Sequence, residues 1–264
     1  MMRLTALVMA CCLVSGCAQL GQSGLAVTSR EAVGVRKIFM QTMEANRQCL
    51  ASFDTGVEVT WDSVFQSGRA EGYLQTMTPA FVKFVAIGPL DQPLAMFFTD
   101  GRDFRYIAVP EGRGYQGSVQ ASAFRRFAPS GLAAHELVYW LTGRLPPGDL
   151  QMQEVRRHDS RASYWMIFTI DGLAGRHQVL FDPKSGQIIR HRAEDNGGAF
   201  ILEAVYGGWQ QDGGCWVPRN LSFSLPTGQG SLFVRFSDWR LQAALAPDDF
   251  VVDIPQGFEE IEVR

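Results

Sequence analysis

The sequence predicts an α+β fold built on one large, curved antiparallel β-sheet, an incomplete barrel of about eleven strands, with helices lidding its concave apolar face. Three observations carry this. Apolar and polar residues alternate at a period of two over most of residues 57–241. Turn-forming residues interrupt that alternation at the spacing of antiparallel neighbours. Strands and helices do not alternate as they would in a parallel sheet, so successive strands pair directly. A sheet of that many strands curls, and its hollow side needs a cover.

The chain opens on Arg3 and the apolar run Leu4 to Val14, the length of a signal peptide and too short to span a bilayer. Val14-Ser15-Gly16-Cys17 places small residues before a cysteine, the pattern at which bacterial lipoproteins are cleaved and acylated on that cysteine. The alternative is an ordinary secretory signal cut elsewhere. Ala18 in place of Asp points, by analogy with Gram-negative lipoproteins, to the outer membrane with the protein facing the periplasm. Residues 17–28, including Gln19-Leu20-Gly21-Gln22-Ser23-Gly24, read as a flexible tether, and residues 29–264 as one domain.

Residues 29–48 read as a helix capped by Ser29, with Val35, Ile38, Phe39, Thr42 and Met43 on one face. Strands follow around Val57, Val59 and Trp61, then at 68–76, 81–87, 94–99 and 104–109, with Gly112-x-Gly114 as a hairpin tip. A helical interlude comes next. One or two turns cover 121–127, and Ser130 caps a helix carrying Ala133, Leu137, Trp140 and Leu141 that ends at Gly143 before Pro146-Pro147. Strands resume at 150–157, 163–170, 176–181, 187–193, 200–206, 217–225 and 231–241, and the tail 250–263 holds two short apolar pieces.

Composition excludes some functions. The formal net charge is −3 and no block of Lys or Arg stands out, which argues against nucleic acid as a partner. Cys11 and Cys12 leave with the signal and Cys17 carries the lipid. That leaves Cys49 and Cys215, which in an oxidising compartment either pair or stay as buried thiols. Two cysteines without Cys-x-x-Cys spacing make no zinc site, and no metal or cofactor is expected. His135-Glu136 and His158-Asp159 are adjacent pairs whose side chains point apart, and neither Gly-x-Ser-x-Gly nor His-Glu-x-x-His occurs. The expectation is a protein that is not an enzyme, with a hydrolase in the same fold as the remote alternative.

Four segments, in order, resemble the LolB family of outer-membrane lipoproteins in the LolA/LolB superfamily. They are Ile87-Gly88-Pro89-Leu90-Asp91 with Leu94 to Phe98; Phe124 to Leu132 with His135 to Gly143 and Leu145-Pro146-Pro147-Gly148-Asp149; Val205-Tyr206-Gly207-Gly208-Trp209 with Pro218 and Leu221; and Leu232 to Trp239. The resemblance covers roughly residues 35–241. It implies a half-barrel that receives lipoprotein acyl chains from a LolA-like periplasmic carrier and inserts them in the outer-membrane bilayer, acting as a monomer. Leu90, beside Pro89, matches the apolar residue that protrudes from the family's loop and touches the membrane. Read from the residues alone, it would fold back on the core. The chain departs from the family in its tail after Leu241 and in Cys49 and Cys215. These departures suit a specialised relative binding or sensing another lipid.

Such a task requires a cavity. At about 0.8 kcal/mol per methylene, three acyl chains exposed to water cost on the order of 30 kcal/mol. Strand alternation selects Phe84, Met96, Phe98, Met166, Phe168, Phe200, Leu202, Val234 and Phe236 as inward-facing, with Trp140 from the lid helix. Each, taken individually, is more often plain core than lipid contact, so the case for a cavity rests on the set.

Overall fold

The computed structural model describes residues 24–47, 49, 51–63, 67–127, 133–159, 162–226 and 230–264. The signal segment, Cys17, most of the tether and Ser130 lie outside them. In chain order the elements are β1 (Leu25–Ala26), α1 (Ser29–Arg47), β2 (Ser52–Asp62), β3 (Ser67–Met77), β4 (Phe81–Ile87), β5 (Pro93–Thr99), β6 (Asp103–Ala108) and β7 (Arg113–Ser118). After single turns at Ser122–Arg126 and Ala134–Glu136 come α2 (Leu137–Thr142), β8 (Leu150–Arg157), β9 (Tyr164–Ile170), β10 (Arg176–Asp182), β11 (Gln187–Glu194) and β12 (Phe200–Gly207). The last are β13 (Gln210–Asp212), β14 (Cys215–Val217), β15 (Asn220–Ser224), β16 (Ser231–Leu241) and β17 (Glu259–Val263).

Fifteen strands form one sheet in the order β1-β8-β9-β10-β11-β12-β15-β16-β2-β3-β4-β5-β6-β7-β17, and β13 and β14 form a separate hairpin. Neighbours are antiparallel except β7 and β17, which run parallel. The sheet is open: β1 and β17 are its edges and do not pair. The expected total of about eleven was low: the ranges read from the sequence place twelve of the fifteen strands, and three were missed. Glycines at 114 and 117 disguise β7, β1 has only two residues, and β17 is three-fifths glutamate. The single strand expected at 217–225 is two, broken at Pro218.

Helix α1 is capped one residue earlier than expected. Thr28, not Ser29, receives the Glu31 N–H on its hydroxyl (3.3 Å) and the Ala32 N–H on its carbonyl (2.9 Å). Val35, Phe39 and Met43 are buried at four-residue spacing, whereas Ile38 is 41% exposed. Helix α2 is short and ends at Gly143, whose φ of 65° and closeness to Trp209 leave no room for a side chain.

Arg144 ties the helices to the sheet. Its Nε donates to the Asn46 carbonyl in the last turn of α1 (3.1 Å), Nη1 to the Thr142 carbonyl at the end of α2 (3.2 Å), and Nη2 to the Trp216 carbonyl in β14 (3.3 Å). The side chain is buried, which lowers its pKa to about 10, so it stays charged at neutral pH. The negative ends of two helix dipoles face it, the favourable sign for a cation. A Cys49–Cys215 disulfide fastens the same corner, with 5.6 Å between the Cα atoms.

The tail after Leu241 covers the convex face. Phe250 is fully buried against Phe81, with ring centroids 5.3 Å apart. Lys83 Nζ donates to the Asp249 carbonyl (2.7 Å) and Arg105 Nη1 to the Val252 carbonyl (2.9 Å). Strand β17 then closes the β7 edge and presents Glu259, Glu260 and Glu262, charges that discourage further strand addition.

The disulfide closes a loop of 166 residues. Replacing both cysteines by serine should lower unfolding free energy by about 2–5 kcal/mol. Urea titration of the double variant and of reduced wild type measures this, and equal midpoints for oxidised and reduced protein would contradict it.

Candidate functional site: a hollow in one half of the concave face

Strand pairing fixes which residues face the hollow, because directly paired residues point to the same side. On the half formed by β8 to β12 the concave face is filled. Met166, Phe168, Val179, Phe181 and Leu202 are fully or nearly fully buried, and Phe39 of α1 sits on Phe168 and Phe181 at 5.8 and 5.1 Å between ring centroids. Phe236 is buried with Trp239 at 5.0 Å. Trp140 is buried in the same core, and its carbonyl accepts the Tyr206 hydroxyl (2.8 Å). Of the sequence-selected set, Met166, Phe168, Leu202, Phe236 and Trp140 therefore pack as core and line no part of the hollow in the other half, although Phe236 also borders a separate surface groove beside Trp239 and Asn220.

The other half keeps an opening of about 500 Å³. Its walls are Val57, Val59 and Trp61 of β2, Leu74 of β3, Val82 and Phe84 of β4, Phe97 of β5, Tyr106 of β6 and Leu232 and Val234 of β16. Phe127, Leu137 and Leu141 roof it, and Asp62, Ser63, Arg126 and Ser231 stand with them. Phe84 and Val234 are the two sequence-selected residues found here. A second, smaller space of about 200 Å³ lies between α1 and α2, beside Met43, Tyr139 and Leu150.

Three selected residues face the other way. Met96 pairs with Val85 and Ile107, and Phe98 with Lys83 and Arg105, all on the convex side under the C-terminal tail. The inward residue is Phe97, opposite Phe84 and Tyr106. In a run such as Ala95-Met96-Phe97-Phe98 both parities are apolar, because one face lies under the tail and the other lines the hollow. Phe200 is reversed by a β-bulge: the register shifts between Ala193 and Glu194, and Arg192 lies 4.9 Å over the Phe200 ring on the outer face.

Leu90 stands 86% exposed on the β4–β5 turn. Gly88 and Gln92 close that turn (2.8 Å), and Leu90 N–H donates to the Gln92 side chain (3.0 Å). Ile87 pairs with Glu71 and Glu71 with Glu58, so the turn carrying Pro89 and Leu90 leaves the sheet at the end where Asp62 and Ser231 bound the hollow.

Nothing in the sequence pairs His177 with His191, yet they meet beneath α2. His177 Nδ1 and His191 Nε2 are 2.9 Å apart. The His191 ring stacks on Trp140 at 3.8 Å and 6°, and Trp140 Nε1 donates to Glu136 (3.1 Å). Burial lowers His177 to about 4 and His191 well below its usual value, with His177 adding to the latter. Burial also pushes the Glu136 carboxyl up. The outer nitrogens, His177 Nε2 and His191 Nδ1, have no partner among the described residues. Among those residues no three His, Cys, Asp or Glu side chains come together as a metal site.

Comparison with known proteins gives no match to a protein family profile and none to a characterised relative. Solved structures do match. One is an outer-membrane lipoprotein-sorting protein domain from Vibrio parahaemolyticus, at TM-score 0.59 and 12% identity over 84% of this chain and 97% of that one. A DUF1329-family protein from Desulfovibrio piger gives 0.60 and 11% over 83% and 97%. A LolA-superfamily protein from Nitrosomonas europaea gives 0.56 and 12% over 86% and 99%. The fold is LolA-like, shared with these three structures. The expected half-barrel is thus found, with more strands than the sequence indicated and with one half of its interior filled. Among the described residues no helix is long and apolar enough to cross a membrane.

The buried imidazoles make stability depend on pH in one direction. The unfolded chain takes up protons near pH 6.5, whereas folded His177 does so only near 4 and burial holds His191 well below its usual value. Their neutral forms therefore contribute stability that is complete above about 6.5 and declines as pH falls toward 4, by on the order of 1.4 kcal/mol per pH unit for each imidazole. Denaturation at pH 7 and 5 should show this loss, and a His177→Phe, His191→Phe variant should show less of it. An identical pH slope in that variant would contradict the assignment.

Proposed function

We propose that this protein is a membrane-tethered acceptor of acyl chains, acting in the cell envelope on the LolB plan. The carrying observation is the hollow: apolar walls on a curved sheet, roofed by Phe127, Leu137 and Leu141, in a molecule whose other concave half is solid. Fatty tails entering it leave water at about 0.8 kcal/mol per methylene. Because the space is not sealed, the same tails depart when a bilayer offers deeper burial, so transfer follows differential affinity and uses no nucleotide. A lipid on Cys17 would keep the domain at the outer membrane. The exposed Leu90, at the hollow's end of the sheet, would enter the bilayer during release. Its donor would be a soluble LolA-like carrier in the periplasm.

A second reading, a LolA/LolB-type lipoprotein serving another lipid, is favoured by size. About 500 Å³ lies in the range of a single small-molecule site, about 300–1,000 Å³. Depletion of the protein separates the two. Lipoproteins stranded on the carrier support the acceptor role, and normal sorting supports the second.

Filling the hollow tests both. Leu232→Trp should abolish binding of cis-parinaric acid while leaving the unfolding midpoint within a few degrees. Undiminished fluorescence enhancement in that variant would remove the hollow from consideration. Leu90→Glu should retain parinaric acid but slow transfer of a labelled lipoprotein to liposomes severalfold. Unchanged transfer would show that the turn takes no part in release.

A further inference from the structure

The mouth of the hollow carries two charges that the rest of the molecule does not use. Asp62 ends β2 and Arg126 ends the turn Ser122–Arg126. Both line the hollow, both are exposed, and neither has an ion-pair partner among the described residues. Elsewhere the sheet pairs its arginines with care. Arg69, Arg105, Arg113, Arg156, Arg157 and Arg176 each have a carboxylate oxygen within 4.0 Å, as do Arg190, Arg192, Arg235 and Arg240. Asp62 and Arg126 therefore reach one opening with opposite signs and do not neutralise each other.

We propose that the hollow takes one chain of a single-chain zwitterionic phospholipid, with the phosphate against Arg126 and the ammonium against Asp62. This rests on the acyl-chain reading above and adds what sits at the water end of the chain. The walls inside the mouth are hydrocarbon and aromatic, so a single tail satisfies them and a headgroup must remain outside. A phosphate suits a guanidinium, which offers paired N–H donors to its oxygens. An anionic head without an amine would gain from Arg126 but meet the Asp62 carboxylate, and a purely cationic head would reverse the two effects. An uncharged head would engage neither. Of these classes the zwitterion alone is complementary to both. The mouth is wet, so each contact is modest and screened by salt, and it acts as a selector more than as a source of affinity.

The test uses the purified full chain and three ligands of equal chain length below their micelle concentrations: lysophosphatidylethanolamine, lysophosphatidylglycerol and monoacylglycerol. Binding is followed by displacement of cis-parinaric acid in low salt. Lysophosphatidylethanolamine should bind about three- to tenfold more tightly than the other two. Arg126→Gln should remove most of that advantage. Asp62→Asn should weaken lysophosphatidylethanolamine and strengthen lysophosphatidylglycerol, an inversion that loss of folding cannot produce. The charge exchange Asp62→Arg with Arg126→Glu should restore part of the original preference. Equal binding of all three lipids by wild type overturns the headgroup proposal and leaves the hollow as an acyl site. Preference for lysophosphatidylglycerol, or an unchanged ranking in Arg126→Gln, also overturns it. Binding of none of them, or of parinaric acid, overturns the acyl-chain reading itself.

Discussion

An open curved sheet has two faces to cover and two edges to protect, and the chain's helices and tail are disposed by that constraint. Fifteen strands without closure expose apolar residues inside and outside the curve. Helix α1 and the short α2 cover the concave face over β8 to β12, where Phe39, Phe168, Phe181 and Trp140 fill the space. The convex face over β4 to β7 is covered by the C-terminal tail, with Phe250 as its anchor. Over the concave face from β16 to β6 the cover thins to Phe127 and the α2 residues Leu137 and Leu141. The hollow is the space left beneath that partial roof, so the covers set its position and size.

Those covers are held firmly at one corner. The Cys49–Cys215 bond and the three carbonyls around Arg144 join the ends of α1 and α2 to the β13–β14 hairpin. A buried arginine without an acid partner is costly unless its donors are met, and here helix carbonyls meet them with their dipoles aligned. Removing Arg144 would leave carbonyls of two helices and a hairpin facing low-dielectric space. The disulfide and the Arg144 hydrogen bonds thus fasten the covers of the filled half at a shared corner.

The sequence revealed the architecture better than the faces. Alternation at a period of two locates strands such as β9 and β16, because it is a property of each strand alone. It cannot say which parity faces inward when both sides are apolar, and that is the situation at Met96, Phe97 and Phe98. A bulge carries no composition signal strong enough to reverse Phe200 in advance. Strand β7 is obscured by glycines that let Ile254 and the β17 backbone approach closely. The turn at Leu90 was legible, since Gly-Pro-Leu-Asp is a turn on local grounds. The histidine pair was not: His177 and His191 become neighbours only through the β10–β11 register, on strands whose other inward residues are apolar.

Under the proposed function, the division of the concave face would let one fold hold a lipid and give it up. If every apolar side chain faced empty space, the unliganded protein would forgo packing across the whole interior, and dispersion losses alone would threaten a fold only marginally stable. If every one were packed, no tail could enter. Here the filled half supplies cohesion through Met166, Phe168 and Leu202, and the open half retains Phe84, Phe97 and Val234 as surface that a guest can cover. A tail in such a site exchanges contact with water for contact with a few walls and a partial roof. The bilayer surrounds it completely, so the balance favours departure whenever the mouth reaches lipid.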